Sequence, residues 1–319
     1  MAIEIALAYI LDLIFGDPRW MPHPVKGIGW LIKKLELFLR EAIKNERIGG
    51  IILVILVVGV SWSVSFIIIG LAYSINGYLG AILSIMIIYT SIAAKDLDIE
   101  SMEVYRSLKK KDIISARKKL SFIVGRDTYN LEDREVIRAA VETVSENIVD
   151  GIISPIFYAF IGGAPLALAY KAINTLDSMV GYKNEKYKDF GWASAKMDTL
   201  ANFIPARLSA LFLPLASLLA GKDALNSWRI ARRDGRKNPS PNSGIPEAAI
   251  AGALGVQLGG LNYYDSKANL KPFIGDGIFA LEAGHIKESV KISYISSALF
   301  LIVGAFLTQL GLIFCIGRR

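Results

Sequence analysis

Apolar residues are concentrated in a few long runs along this chain, and polar segments separate those runs. Residues 50–72 and 77–94 contain no charged side chain, and the turn sequence SINGY joins them. The first run is long enough to cross ~30 Å of hydrocarbon as a helix, so we predict a helical hairpin in the bilayer. Residues 292–317 form a third long run. This pattern predicts an all-α, polytopic integral membrane protein.

Three further runs are less clear. Residues 152–170 and 203–221 both contain proline, and the first also contains adjacent glycines. They fit spans, but they fit broken or re-entrant helices equally well. The N-terminal run carries Glu4 and Asp12 and lacks the basic region and cleavage site of a signal peptide, so we interpret it as retained structure. We therefore expect about four to six membrane-embedded helices, with polar helical loops converging on one site.

Composition supports this class and excludes others. The chain is 53% hydrophobic, above the usual share for soluble domains, and we treat residues 1–319 as one domain. The single cysteine, Cys315, in the last apolar run, excludes an intrachain disulfide and a cysteine-based zinc site. Only His23 and His285 are present, which argues against a histidine-rich metal site. The net charge of +7 comes from scattered residues without interleaved aromatics, so we expect no nucleic-acid partner.

The distribution of Lys and Arg gives an orientation. If the two runs joined by SINGY form a hairpin, residues 17–48 and 95–151 lie on one side of the bilayer. These segments contain seven and eleven basic residues, so the positive-inside rule makes that side cytoplasmic. Within the second segment, residues 98–121 have the pattern of an amphipathic helical hairpin with solvated charges.

Three carboxylates precede the run at 152–170. Glu142, Glu146 and Asp150 stand at i, i+4 and i+8, which places them on one helical face. Like charges at this spacing weaken a helix unless cations, a divalent metal or water compensate them. A solvated face is the simpler alternative, but unpaired carboxylates become costly where the stretch enters an apolar segment. Mg²⁺ would suit this face because it prefers carboxylate oxygens and keeps waters for phosphate.

Two further clusters of polar residues lie in segments next to apolar runs. Residues 12–29 contain three prolines and three glycines, which predicts a fixed loop presenting Asp17 and His23. A structural turn with Asp17 capping a helix is an equal alternative.

The other cluster consists of one helical face and the polar residues that follow it in the sequence. Lys171, Asn174 and Asp177 lie three residues apart, and Asp198 and Arg207 then approach or begin an apolar run. Asp and Arg close to hydrocarbon normally pair, so a plain structural ion pair between them is the alternative.

A fourth cluster combines arginines with the loop NPSPNSGIP. Several basic residues surround Asp234, and the loop leads into a helix of small residues. Ser and Asn side chains, backbone amides and arginines would together form a phosphate cradle, facing the positive end of that helix. The same helix also suits close packing against its neighbours, and both interpretations are compatible. The chain contains no P-loop and no G-x-G-x-x-G, so a nucleotide would need an unorthodox site.

These clusters together resemble the CbiB/CobD family of cobalamin biosynthesis proteins, the adenosylcobinamide-phosphate synthases. The resemblance covers roughly residues 5–315 and is least distinctive after Tyr264. The matching motifs, in order, are FGDPRWMPHPVKGIG, GRDTYNL, VETVSENIVDGIISPIFY, GGAPLALAYKAINTLDSMVGY, FGWASAKMDTLANFIPARL and RRDGRKNPSPNSGIPEAAIAGALGVQLGG.

The resemblance implies an integral membrane ligase. Such an enzyme would join aminopropanol, or its O-phosphate, to a propionate carboxylate of adenosylcobyric acid and consume ATP with Mg²⁺. Corrinoid, amine and lipid bilayer would be its partners, and the sequence names no protein partner.

Residue type then suggests roles within the matched segments. Candidates for Mg²⁺ are Glu142, Glu146 and Asp150, with Asp177 as an additional candidate. Candidates to position substrate or accept the amine proton are Asp17, His23, Asp177 and Asp198. Candidates to bind nucleotide, phosphate or corrinoid are Arg126, Asp127, Asn147, Lys171, Asn174, Arg207, Arg232, Arg233, Asp234, Ser240, Asn242 and Glu247.

The simple topology conflicts with this function. If residues 152–170 and 203–221 both span, residues 171–202 lie outside, away from cytoplasmic ATP. We therefore expect that the two runs are not both ordinary spans, or that residues 171–202 fold back. The alternatives are a sensor of the related AmpE type, which would not need these acids and arginines, and a transporter, which typically shows paired repeats and more spans.

Overall fold

The computed structural model describes residues 1–18, 20–182, 184–264 and 266–311. The chain divides into two compact units. Unit 1 comprises Met1–Ala93, Ser154–Asn202 and the chain from Leu301, and unit 2 comprises Ala94–Ile153 and Phe203–Phe300. Whether the two fold as one domain stays a prediction.

Helices dominate both units. Unit 1 contains α1 (Ala2–Phe15), α2 (Pro24–Ala42), α3 (Glu46–Ile75), α4 (Gly77–Tyr89), α8 (Ser154–Val180) and α9 (Trp192–Ala201). Unit 2 contains α5 (Ala94–Lys109), α6 (Ile113–Leu120), α7 (Asp133–Asn147), a π-helical turn (Ile148–Ile153), α10 (Phe203–Leu219), α11 (Ala224–Asp234), α12 (Gly244–Leu254), β1 (Leu258–Tyr264) and β2 (Lys267–Ile274). Helix α13 (Gly284–Gln309) begins in unit 2 and ends in unit 1.

Four helical stretches in the described ranges are long and apolar enough to cross a membrane. They are Glu46–Ile75, Gly77–Lys109, Asp133–Val180 and Gly284–Gln309. Helix α10 has 17 residues and does not pass this test alone, and α9 and α10 pass it only together, as a broken span or a re-entrant loop, so both interpretations of the run at 203–221 stay open. These findings confirm an all-α, polytopic membrane protein. Cys315 and the end of the predicted run 292–317 lie outside the described residues.

The predicted hairpin at residues 50–94 is confirmed, and one residue makes its turn. Asn76 ends α3 and begins α4, and its Oδ1 accepts hydrogen bonds from Tyr78 N at 2.7 Å and Leu79 N at 3.4 Å. These bonds satisfy amide groups that the first turn of a helix leaves open. The amphipathic hairpin predicted at residues 98–121 is likewise present as α5 and α6.

The run at 152–170 is interrupted where its glycines are. Gly162 and Gly163 leave helical geometry, with φ −139° and +66°, so α8 is two segments joined by a kink. Pro165 falls in the first turn of the second segment, where its missing N–H costs no helical hydrogen bond.

The loop predicted over residues 12–29 is shorter than expected. Helix α1 continues to Phe15, and α2 already begins at Pro24. The prediction was wrong for residues 24–29 because proline is well tolerated at the first helical position. The residue that caps α2 is His23, whose Nδ1 accepts a hydrogen bond from Val25 N at 3.3 Å.

Unit 2 contains a feature that the sequence analysis did not predict. Strands β1 and β2 form a two-stranded antiparallel hairpin, with Gly260 opposite Lys271 and Asn262 opposite Asn269. Gly259 lies in a bulge between Leu258 and Gly260 with φ +86°, a conformation that glycine adopts readily.

Helix α12, which is rich in small residues, packs closely on α11. This agrees with the interpretation that its small residues serve close packing. Asn226 Nδ2 donates to Gly252 O at 2.7 Å, and Ser227 Oγ donates to Ala249 O at 2.9 Å. Both hydrogen bonds bring a side chain of α11 directly onto the backbone of α12.

Candidate active site

A buried ion pair forms the centre of the candidate site in unit 2. Arg126 Nη2 donates to Glu142 Oε2, and both side chains are more than nine-tenths buried. The other carboxylate oxygen of Glu142 accepts a hydrogen bond from Gly259 N at 2.8 Å. The glycine bulge therefore aims a backbone amide at this carboxylate, and the pair is satisfied from both sides.

The hairpin and the GRDTYNL segment hold this pair in place. Arg126 Nη1 donates to Asn262 Oδ1 at 2.6 Å, and Arg138 Nη2 donates to Leu261 O at 2.7 Å. Asp127 N donates to Tyr263 O at 2.9 Å, while an oxygen of the same Asp127 side chain accepts from Ser266 N at 2.8 Å, beside the hairpin turn.

Two of the predicted binding residues therefore have clear local partners. Arg126 is hydrogen-bonded to Glu142 and Asn262, and Asp127 accepts a hydrogen bond from Ser266 N, next to β2. Their roles toward a ligand stay predictions.

A second buried carboxylate, Glu247 on α12, lies in the same cluster. Its side chain is 2% exposed, and its Oε2 accepts a hydrogen bond from Asn238 Nδ2 at 2.9 Å. Burial raises the pKa of Glu247 to about 8; Lys271 lowers it, while Glu142 and Glu146 raise it further.

Lys271 on β2 is the cation with the largest electrostatic effect on Glu146 and Glu247, whereas Arg126 has the largest effect on Glu142. Burial by itself lowers the pKa of Lys271, but the charges of Glu247, Glu142 and Glu146 outweigh this effect and leave the pKa above its ordinary value. The ammonium group is therefore charged at neutral pH. We refer to Arg126, Glu142, Glu146, Glu247 and Lys271 as the glutamate cluster.

Glu146 is the solvent-accessible member of the glutamate cluster. It lies on α7 one turn after Glu142, and it is exposed whereas Glu142 is 2% exposed. The α-helix ends at Asn147, whose Nδ2 donates back to Thr143 O at 2.9 Å, and Asp150 lies in the π-helical turn that follows. The three acids predicted to share one face thus occupy three different environments.

The described ranges contain no group of three or more His, Cys, Asp or Glu placed to hold a metal ion. One oxygen of Glu142 is occupied by Arg126 and the other by Gly259. Mg²⁺ bound with a nucleotide commonly takes only one or two protein carboxylates, with phosphate oxygens and waters completing its shell. The exposed Glu146 fits that requirement, and the fuller set of Glu142, Glu146 and Asp150 stays a prediction.

The loop predicted as a phosphate cradle is ordered by its own polar groups. Asn238 Oδ1 accepts from Ser240 N at 3.0 Å, and Ser240 Oγ accepts from Ser243 N at 3.3 Å. Arg207 Nη1 donates to Asn242 Oδ1 at 3.1 Å. Asn238 thereby connects this loop to Glu247, so two predicted regions of unit 2 are linked by one side chain.

The arginines before that loop belong to a separate ion-pair network. Arg233 donates to both oxygens of Asp234 and to Asp276 at 2.5 Å, and Lys237 Nζ lies 2.7 Å from Asp234 Oδ1. Burial opposes ionisation of Asp234, but these cations and the amide of Gly275 hold its pKa well below its usual range. Arg233 and Asp234 therefore stabilise this corner of unit 2. Arg232 lies over the ring of Trp228, 5.9 Å from its centre.

Two of the candidates in unit 1 form a pair. His23 Nε2 lies 3.2 Å from Asp17 Oδ1. Because His23 Nδ1 accepts the hydrogen bond from Val25 N, a neutral His23 carries its proton on Nε2, facing the carboxylate. The two candidates, which the sequence analysis named separately, thus lie side by side, and their role in proton transfer stays a prediction.

Asp198 belongs to a polar network around Asn202. Asn202 Nδ2 donates to Asp198 Oδ1 at 3.0 Å, and Asn202 Oδ1 accepts from Ser154 Oγ at 2.6 Å and from Tyr170 OH at 2.9 Å. Tyr158 OH donates to Ala201 O at 2.8 Å in the same region. These hydroxyls join α8 to the end of α9.

The remaining unit 1 candidates lie on α8 as predicted. Lys171, Asn174 and Asp177 are all partly exposed on that helix. Thr175 Oγ1 donates to Lys171 O at 2.7 Å, and Ser178 Oγ donates to Asn174 O at 2.9 Å. The backbone carbonyls of two candidates therefore accept hydrogen bonds from hydroxyl side chains of the same helix.

Several residues of the glutamate cluster region were missed from the sequence. They are Lys271, Asn262 and Arg138, which the structure places against Glu142, Glu247 or Arg126. The segment LNYYDSKANLKPFI does carry a usable signal, since Asn262, Tyr264, Asn269 and Lys271 alternate with apolar residues on either side of a polar turn.

Helical spans and a buried cluster of cations and carboxylates define the class of this protein. It is a polytopic membrane protein with a buried ionic site, and its sequence contains neither a P-loop nor a G-x-G-x-x-G motif. The family described as "CobD/Cbib protein" matches residues 5–293. This chain belongs to that family, whose members take part in cobalamin biosynthesis.

Curated relatives agree with the family over nearly their full lengths. "Cobalamin biosynthesis protein CobD" of Geobacter metallireducens is 52% identical over 303 residues, which cover 95% of each chain. The protein of the same description from Clostridium perfringens is 47% identical, covering 94% of this chain and 96% of its own. "Cobalamin biosynthesis protein CbiB" of Salmonella typhi is 46% identical, covering 92% and 93%. No solved structure matches the chain.

Proposed function

We propose that this protein is an ATP- and Mg²⁺-dependent ligase of the cell membrane. It joins aminopropanol or its O-phosphate to a propionate carboxylate of adenosylcobyric acid, and the product is the amide adenosylcobinamide or its phosphate. The observation that carries the proposal is the glutamate cluster, where Arg126, Glu142, Glu146, Glu247 and Lys271 come from segments that are far apart in sequence.

The reaction needs activation because a carboxylate is a poor acyl donor. A carboxylate oxygen of the corrinoid attacks the γ-phosphorus of ATP, ADP leaves, and an acyl phosphate forms. The neutral amine then attacks the acyl carbon, inorganic phosphate leaves, and the amine gives up one proton to a base. Charge on the transferring phosphoryl group must be offset by fixed cations and dipoles for either step to be fast.

Candidate residues for these tasks can be named within each unit separately. In unit 2, Glu146 would hold Mg²⁺, which supplies positive charge to the phosphate oxygens, with Glu142 and Asp150 as further candidates. Arg207, Ser240 and Asn242 offer donors for phosphate, beside the loop that Asn238 joins to Glu247.

In unit 1, the Asp17–His23 pair and Asp198 are candidates to accept the amine proton. A histidine beside a carboxylate is a suitable base because its imidazolium form is stabilised by that charge. We place the segments 17–48 and 95–151 on the cytoplasmic side, where ATP is available.

The test is an assay of purified protein in nanodiscs with adenosylcobyric acid, aminopropanol phosphate or free aminopropanol, ATP and Mg²⁺. Mass spectrometry should find the new amide, and Glu146→Gln should reduce its rate by at least 100-fold without loss of folded protein, by analogy with removal of one charge-stabilising group. Glu100→Gln, on α5 of the same unit, is the matched control. Folded protein that makes no amide from either amine would favour the sensor or transporter instead.

A further inference from the structure

Lys271 occupies a defined position on the hairpin, facing the glutamate cluster. It stands opposite Gly260, and Asn262 stands two residues further along the same strand, so Lys271 and Asn262 project from one face of the hairpin. Asn262 on that face is bonded to Arg126. The register therefore directs the Lys271 side chain toward the buried ion pair, while neighbouring Leu270 points away and is 71% exposed.

The two cations of the cluster differ in what they bind. Arg126 makes two hydrogen bonds within the protein, to Glu142 and Asn262. Lys271 feels the charges of Glu247, Glu142 and Glu146, yet within the described part of the chain its ammonium makes no hydrogen bond and no direct ion pair. Lys271 is half-buried. Three donor hydrogens thus remain available beside the exposed Glu146.

We propose that Lys271 binds a phosphoryl oxygen of a substrate at the glutamate cluster. This inference rests on the proposed function and deepens it, because it assigns the cation that meets the phosphoryl group. A lysine ammonium is a compact charge suited to phosphate, whereas Arg126 is already paired with the buried Glu142 carboxylate. The phosphoryl group comes either from ATP or from aminopropanol phosphate.

A purely structural role is the competing account. In that account Lys271 only offsets the repulsion among the glutamates. Its removal would then lower the stability of unit 2 and change the Michaelis constants of all substrates little. The two accounts therefore differ in whether the KM of a phosphoryl substrate rises or only the stability of the protein falls.

Lys271→Met and Lys271→Arg separate them, with Lys267→Met as a matched control. Lys267 lies on the same strand and carries the same charge, but it is exposed. Loss of a charged hydrogen bond should raise the KM of the phosphoryl substrate by roughly 10- to 100-fold in Lys271→Met. Lys271→Arg should recover most of that loss, and Lys267→Met should match the wild type.

The substrate whose KM rises identifies the source of the phosphoryl group. A rise for ATP alone, also with free aminopropanol as the amine, assigns the nucleotide. A rise for aminopropanol phosphate alone, absent with the free amine, assigns the amine substrate. Unchanged KM values for both, with or without a lower Tm, would overturn the inference.

A binding titration keeps this test independent of catalysis. A non-hydrolysable ATP analogue with Mg²⁺, and aminopropanol phosphate alone, are titrated into wild type, Lys271→Met and Lys267→Met in nanodiscs. We expect one of the two ligands to bind Lys271→Met at least 10-fold more weakly. Equal affinity of all three proteins for both ligands would overturn the role of Lys271. Failure of wild type to make amide, with this difference in binding intact, would instead contradict the proposed function.

Discussion

The Arg126–Glu142 ion pair should be the most sensitive point in unit 2. Both side chains are more than nine-tenths buried, so Arg126→Met removes the direct ion pair of Glu142 and leaves its hydrogen bond from the amide of Gly259. Removing one partner of a buried pair typically costs about 3–5 kcal/mol, because the remaining charge is uncompensated. For a protein of this size we expect Tm to fall by roughly 5–15 °C, depending on whether one unit or the whole chain unfolds together.

The assay is thermal unfolding in nanodiscs, followed by tryptophan fluorescence. Arg134→Met is the matched control, since Arg134 lies on α7 and is exposed, and it should shift Tm by no more than about 2 °C. The double variant Arg126→Met/Glu142→Gln should be more stable than the sum of the two single changes by about 1–3 kcal/mol, because neither charge is then left alone. Equal Tm values for Arg126→Met and Arg134→Met would refute the claim that this pair is buried and coupled.

Three further outcomes follow from the packing and the charges. Gly50→Ala should lower Tm, because a Cβ there would lie 1.9 Å from a backbone oxygen, whereas Gly59→Ala on the same helix meets open space and should keep or raise it. Asn202→Ala should cost about 2–3 kcal/mol by orphaning buried hydroxyls, and Tyr170→Phe only about 1, both measured as Tm. Since the folded pKa of Asp234 is depressed, its stabilisation is present above pH ~4 and lost as pH falls further, so the Tm difference between wild type and Asp234→Asn should shrink on acidification.

Hydropathy predicted most of the membrane part of the fold because that part depends on local pattern. An uncharged run of sufficient length has few alternatives in a bilayer, so the hairpin at 50–94 and the described part of the run at 292–317 were predictable from the sequence, whereas the run at 152–170 was left open between a span and a broken helix. The break at Gly162–Gly163 was visible as well, although only as one of two interpretations.

The candidate site was only partly predictable because its partners are distant in sequence. Glu142 and Glu146 were identified from helical spacing, but the partner of Glu142 is Arg126, and the hairpin that brings Lys271 comes more than a hundred residues later. Spacing on one helix cannot report such contacts. The i, i+4, i+8 pattern also assumed a continuous α-helix, and the π-helical turn at Ile148–Ile153 ends that continuity before Asp150.

The loop boundaries near the N-terminus show a different limit. The prolines and glycines in residues 12–29 predict a loop without helix, yet Pro24 begins α2. A proline blocks a helix only where an amide donor or the space before it is needed, and the first helical position needs neither.

Under the proposed function, this protein uses ATP to activate a corrinoid carboxylate for amide formation. The most direct measurement supplies adenosylcobyric acid labelled with ¹⁸O in its free carboxylate and follows both the amide and the released phosphate by mass spectrometry. Activation as an acyl phosphate predicts one labelled oxygen in inorganic phosphate for each amide formed, because the carboxylate oxygen leaves with the phosphoryl group. Amide formed with unlabelled phosphate, or no amide from folded protein, would contradict the account.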